Sequence, residues 1–159
     1  MPVSNAWLLS FSDHVCAAIG SMELVHILPS VPELSEIPHA PSFCQYSILW
    51  EGHHLPVMDI VTYLDGERKN KQREACYNNS LIGVVAYIDP DKQQQCYGAL
   101  LLQKLPVRIE VDDKQACDLP ESSPGWSGLA ISCFKYNDKV QVPIIDIPVI
   151  FSEIIGKDN

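Results

Sequence analysis

Apolar and β-branched residues in this chain gather in runs of five to nine positions, separated by proline, glycine, asparagine and aspartate. Runs of that length and composition predict strands. They lie at 6–11, 15–19, 45–50, 54–58, 81–88, 96–102, 107–111, 128–136 and 139–145. Twelve prolines leave few windows long enough for an ordinary globular helix, because a helix interior does not accommodate the ring or the missing N–H. Short helices are predicted only over 22–28, directly after Asp59, and over 147–155. Asp89-Pro90-Asp91-Lys92 and Tyr136-Asn137-Asp138-Lys139 supply residues that preset or tolerate turn dihedrals, so each predicts a hairpin. The fold class is therefore mainly β.

The two halves of the chain echo one another. His54-Leu55-Pro56-Val57-Met58-Asp59-Ile60 recurs as Gln141-Val142-Pro143-Ile144-Ile145-Asp146-Ile147. In both, proline enters a strand that aspartate ends before an apolar helical segment. Proline marks an edge or corner because it donates nothing to a ladder. Asp59 and Asp146 suit the N-cap position, where a carboxylate accepts from free helix-start N–H groups, and Pro148 then falls in a first turn that tolerates it. Two similarly built β-subdomains on a shared core follow, within one domain over 1–159. Subdomain 1 is expected at about 6–64 plus the C-terminal segment, and subdomain 2 at about 81–146. Between them, 65–80 is read as an exposed connector. It holds Arg68, Lys69, Lys71 and Arg73, four of the eleven basic residues, and is better read as a solvated loop than as a phosphate patch.

Charge narrows the function. With 20 acidic against 11 basic residues, the net charge of −9 argues against nucleic acid and anionic membrane as partners, since both select lysine and arginine. The segment 1–67 carries eight acids and no lysine or arginine, and it also holds His14, His26, His39, His53 and His54. A basic protein partner and a plain solvated acidic surface both fit that asymmetry. Six cysteines are spaced 16 to 32 residues apart with no C-x-x-C, which predicts reduced thiols rather than a zinc site or a disulfide scaffold. The start of the chain lacks a basic n-region, and no apolar run approaches the ~20 residues of a bilayer span. A cytoplasmic protein without direct membrane insertion is the expectation.

Candidate chemistry is sparse. Gly125-Trp126-Ser127-Gly128-Leu129 departs from the G-x-S-x-G nucleophile elbow at its last position and precedes a strand rather than a helix. There is no H-E-x-x-H, P-loop or G-x-G-x-x-G. His53 and His54 adjoin on a predicted strand, so their side chains point to opposite faces and do not chelate one ion. Cys16 and Cys96 fall in apolar strands, where an inert core thiol is expected. No catalytic residue, metal or cofactor is expected. Val25, Ile27, Leu28, Val31, Leu34 and Ile37, interrupted by Pro29, Pro32 and Pro38, form an apolar stretch suited to docking another protein wherever it stays exposed.

Four segments then carry a resemblance: Trp7-Leu-Leu-Ser-Phe11, Glu23-Leu-Val-His-Ile-Leu28, Leu34-Ser-Glu-Ile-Pro-His-Ala-Pro41, and Gly52-His-His-Leu-Pro-Val-Met-Asp-Ile60. Together they resemble the first half of a CheW-like domain, whose strand motif reads R-G-x-x-x-P-V-x-D-L. Segments 81–88, 96–101, 128–131 and 142–147 are similar, more weakly, to its second half. The resemblance implies two intertwined five-stranded β-barrels with a few short helices. It also implies a non-enzymatic adaptor that couples a chemoreceptor cytoplasmic tip to the regulatory domain of a histidine kinase. By family position the kinase-binding residues would be Leu28, Leu34, Glu36 and Ile37, and the receptor-binding residues Val25 and Glu51. Glu51 replaces the family arginine, Tyr46 a family glycine, and Leu102-Gln103 the site of a family aspartate, which implies a divergent branch serving a type IV pilus or twitching-motility chemosensory system. A reading from a different class also stands: a small acidic β-barrel binding a metabolite or metal through its histidine-rich N-terminal half.

Overall fold

The computed structural model describes residues 3–65, 77–120, 124–137 and 139–156. The strands are β1 (Val3–Ser10), β2 (Cys16–Gly20), β3 (Leu24–Leu28), β4 (Ser35–Glu36), β5 (Tyr46–Trp50), β6 (His53–Met58), β7 (Leu81–Ile88), β8 (Gln95–Leu102), β9 (Val107–Asp112), β10 (Ala130–Tyr136) and β11 (Val140–Ile145). Helix α1 (Ile60–Asp65) follows β6, and α2 (Ile147–Gly156) follows β11. The connector's basic cluster, Arg68, Lys69, Lys71 and Arg73, lies outside the described residues.

The strands form two sheets of matching design. One has the order β10-β11-β2-β1-β9 and the other β4-β5-β6-β8-β7-β3. Setting aside the two-residue β4, each is a hairpin laid parallel to the second strand of another hairpin, with a lone strand at the far edge. The parallel contacts are β11 on β2 and β6 on β8. In sequence, β1-β2-β3-β5-β6-α1 and β7-β8-β9-β10-β11-α2 are two copies of one unit. Each copy gives its first hairpin to one sheet and its remaining strands to the other. The echo read from the sequence is thus a true repeat, but the boundary at 65–80 does not divide the sheets: β1 and β2 join β9–β11, while β3–β6 join β7 and β8. The cause is that β2 and β8 each run into a short crossing segment instead of a turn back, and the next strand pairs with the opposite sheet. One sheet also has six strands rather than five, because β4 adds to β5 through Ser35↔Ser47 and Glu36↔Tyr46.

Alternation along the strands divides the core three ways. On β2, Ala17 and Ile19 face the core between the sheets, while Ala18 faces the interior of the five-stranded sheet with Ala6, Ile109, Phe134 and Val142. On β8, Leu100 and Leu102 face the shared core, while Ala99 and Leu101 face the six-stranded interior with Ile48, Leu55, Val57, Ile82 and Val84. A period of two along a strand that is buried on both faces produces this partition.

Both repeats end alike. The Asp59 N–H donates to Phe43 O and the Asp146 N–H to Leu129 O, each at 2.8 Å. Asp59 is 2% exposed, and its carboxylate accepts from the Thr62 N–H at 3.3 Å and the Thr62 hydroxyl at 2.8 Å. The Asp146 carbonyl accepts from the Ile150 N–H at 3.2 Å. From there α2 carries Phe151 onto the six-stranded sheet, where its ring stacks on Tyr87 at 5.4 Å and 8°. A Cβ at Gly98 would overlap the Phe151 ring, so the absent side chain on β8 is what admits the helix.

The segment 22–28 is a turn running into a strand rather than a helix: β3, Leu24–Leu28, pairs antiparallel with β7. Val25 and Ile27 are β-branched, Pro29 ends the run, and seven residues gain too few helical hydrogen bonds to compete with an open sheet edge. Its entry is fixed by Glu23, whose carboxylate accepts from the Gly20 N–H at 2.8 Å and whose carbonyl accepts from the Ala86 N–H at 2.8 Å. Burial raises the Glu23 carboxyl above its ordinary 4.5, the Gly20 N–H opposes this, and the Asp146 carboxylate adds to it.

Two predictions follow from the packing. Gly98→Ala should destabilise the fold by about 2 kcal/mol through overpacking, and Phe151→Ala by about 3–5 kcal/mol through a cavity. Denaturant unfolding of both variants checks this, and an unchanged midpoint for Gly98→Ala would show that α2 does not seat there. For Glu23, a folded-state value above the unfolded one means the folded chain holds the proton more tightly. Its contribution is complete below about pH 4.5 and is lost as pH rises through the folded value. Glu23→Gln keeps an acceptor for the Gly20 N–H and removes that loss. The melting temperature of the variant minus that of the native chain should therefore grow between about pH 4.5 and pH 7; a flat or falling difference would contradict the assignment.

Candidate functional site

Two strongly exposed apolar side chains lie where the chain changes sheets. The first crossing, between β2 and β3, presents Met22 at 88% exposure, and the second, between β8 and β9, presents Leu105 at 67%. A groove of about 350 Å³ at the second crossing is lined by Trp7, Leu24, Val25, His26, Ile27, Leu105 and Pro106. Trp7 is held by its indole N–H, which donates to Ser21 O at 3.2 Å, and the Arg108 guanidinium lies 5.8 Å from its ring centroid. Val25 is 44% exposed on β3. An open apolar groove with a fixed indole and few polar groups suits a side-chain ridge of another protein rather than chemistry on a small molecule.

Glu51 is exposed at the tip of the β5–β6 hairpin, next to Gly52. Their φ angles are +48° and +82°, so Glu51-Gly52 is a two-residue turn with both residues in the left-handed region, flanked by the pair Trp50↔His53. A side chain at Glu51 is therefore kept despite local strain. The hairpin adjoins β3 through a His26–Trp50 ring contact at 6.1 Å, and Trp50 continues to Tyr97 at 5.4 Å. The His26–Trp50 contact links β3 to the Glu51 hairpin across a sheet in which β7 and β8 separate them, with Val25 in the groove and Glu51 outside its lining.

Leu28, Leu34, Glu36 and Ile37 behave differently. Leu28 and Leu34 pack against the interior of the six-stranded sheet, and Ile37 packs against the shared core while its N–H donates to Gln45 O at 2.8 Å. Only Glu36 of the four is fully exposed, on edge strand β4. The apolar stretch 25–37 is therefore mostly committed to the two cores, leaving Val25 as its exposed large apolar side chain.

The histidines disperse. His14 lines a pocket of about 400 Å³ with Asp13, Ser12 and Lys104, His26 flanks the groove, and His53 and His54 are exposed on β6. Among the described residues no three His, Cys, Asp or Glu side chains could hold a metal ion. Ser127 is exposed within a tight turn over Pro124–Gly128 that leads into β10. Cys16 and Cys96 are half-buried rather than core thiols, because each sits at the first or second position of its strand.

Sequence reasoning missed Trp7, Leu105 and Pro106 as lining residues and missed the approach of Cys117 to Cys133. The signal for Leu105 was present, an isolated leucine between Lys104 and Pro106 in a turn. The groove itself needs the strand exchange, which no local pattern encodes. At the same crossing Gln103 Oε1 is buried without a hydrogen-bond partner among the described residues. No helix among the described residues is long and apolar enough to cross a membrane.

Comparison with known proteins agrees with this architecture. No curated protein sequence matches the chain. The crystal structure of the scaffolding protein TtCheW from Thermoanaerobacter tengcongensis is similar, with a TM-score of 0.69 and 16% identity over 95% of this chain and 89% of that one. The profile of the CheW-like domain matches residues 8–154. With nearly the whole chain inside that match, and its repeats and crossings disposed as described, the protein belongs to the CheW-like domain family.

Proposed function

We propose that this chain is a non-enzymatic, cytoplasmic coupling adaptor that joins the cytoplasmic tip of a chemoreceptor to the regulatory domain of a histidine kinase. The observation that carries the reading is the apolar groove at the sheet crossings, with Val25 and Leu105 exposed beside a half-buried Trp7 in a chain of this family. The groove and the adjoining Glu51 hairpin form the receptor face. The kinase face is the β4 edge with Glu36, supported from beneath by Leu28, Leu34 and Ile37. Both the pairing of receptor and kinase and the assignment of residues to each face come from the family, and the exposure of Val25, Glu51 and Glu36 supports that reading.

Glu51 sets the choice of receptor. A carboxylate at an exposed turn does not reproduce the forked donors of a guanidinium, and at close range it favours a basic group opposite. We assign the chain to a divergent branch with altered partners, in keeping with a pilus-type chemosensory system.

Calorimetric titration against the kinase regulatory domain and a receptor tip from the same organism separates the faces. Val25→Asp should weaken the receptor tip about tenfold or more and leave the kinase domain unchanged, with Glu36→Arg doing the reverse. Glu51→Arg keeps a side chain of similar backbone strain at the turn, so a change in receptor affinity alone reports charge. Failure of the native chain to bind either partner, or equal loss of both with each variant, would sink the proposal.

A further inference from the structure

The five-stranded sheet has two edges, β9 and β10, and the chain leaving β9 crosses to close the gap. Ala116 bridges antiparallel to Phe134 on the outer side of β10. The Cys117 N–H donates to Cys133 O at 3.0 Å, which sets Cys117 directly opposite Cys133. Gln115 Nε2 donates to Lys135 O at 3.1 Å, and Gln141 Nε2 donates to Asp118 O at 2.9 Å. The seam is thus held by a few hydrogen bonds over residues 115–118, most of them at exposed positions.

Within it the Cys117 and Cys133 sulfurs lie 3.3 Å apart, with the Cys117 thiol donating to Cys133 Sγ. Opposed residues of a hydrogen-bonded antiparallel pair have Cα atoms about 5.5 Å apart, inside the span a disulfide bridges. Bond formation therefore needs only a small approach of two sulfurs already in contact. We propose that Cys117 and Cys133 are a site of reversible disulfide formation with a small-molecule disulfide, and that the bond staples the seam closing the five-stranded sheet.

The step balances with an oxidised low-molecular-weight disulfide such as oxidised glutathione. Cys117, half-buried, gives up its proton and attacks one glutathione sulfur, forming a mixed disulfide and releasing one glutathione thiolate. Cys133 then gives up its proton and attacks the Cys117 sulfur, expelling the second thiolate. Two protein thiols are oxidised, one small disulfide is reduced to two thiols, and excess reduced glutathione reverses the sequence. Cys133 is 4% exposed, and burial, reinforced by its hydrogen bond with Cys117, pushes its thiol up to about 12. Entry through Cys117 and resolution by Cys133 follow from that difference in access.

The bond would enclose the Pro124–Gly128 turn, whose Trp126 is buried in the shared core and whose Gly125 abuts Leu64 of α1. Closing that loop restricts the unfolded chain, so oxidation should raise the melting temperature. The full chain, incubated with oxidised and reduced glutathione in varied ratio, is digested without reduction and mapped by mass spectrometry. The expected result is loss of two thiols, a linked peptide containing Cys117 and Cys133, a melting temperature several degrees above the reduced form, and full reversal by dithiothreitol. Cys117→Ala, at the less buried position, should fold and show neither the linked peptide nor the thermal gain. A stable glutathione adduct on Cys117 without the linked peptide, a dominant bond to another cysteine, or a linked peptide with no thermal gain would overturn the proposal.

Discussion

Each repeat in this chain surrenders a hairpin to the other, and the rest of the structure depends on that exchange. Once β2 and β8 run across instead of turning back, neither sheet can assemble from one repeat, and the inner strands have cores on both sides. Alternate residues then serve different purposes: Ile19 and Leu102 hold the sheets together, while Ala18 and Leu101 fill the interiors. Separating the sheets would expose the apolar surface that joins them and leave both sheets without strands, so the two subdomains stand or fall together.

The same exchange accounts for the groove. A crossing segment passes between sheets instead of lying on either, so its apolar residues have no adjoining strand to cover them. Leu105 projects there, and Trp7, fixed by Ser21 from the first crossing, supplies a rigid wall. Such a surface is set by the scaffold rather than by a mobile loop, which suits a protein that holds others in register.

Much of the fold was legible in the sequence because its signals are local. Nine of the strands follow from apolar runs and turn chemistry, and the Pro-to-Asp echo locates the ends of β6 and β11, with Asp59 capping α1 through its carboxylate. What was not legible is long-range. The pattern of Met22 to Leu28 fits a short helix or a strand, and the open edge of β7 decides it. The repeat is visible at 54–60 and 141–147, yet which sheet each hairpin joins is fixed by crossings of only a few residues. Among the candidate residues, Glu51 was identifiable from its place before Gly52, but its left-handed turn and exposure were not. Leu28 and Leu34, expected at a kinase-facing surface, are half-buried against the six-stranded interior, since apolar character does not separate a docking side chain from a packed one.

On the proposed function, one rigid domain presents two separate faces and so bridges two proteins. Sedimentation velocity of the native chain mixed with both the kinase regulatory domain and the receptor tip tests it most directly. The account predicts a ternary species larger than either binary complex, with saturation by one partner leaving the other's binding intact. Displacement of one partner by the other would place both on the same face and contradict the account.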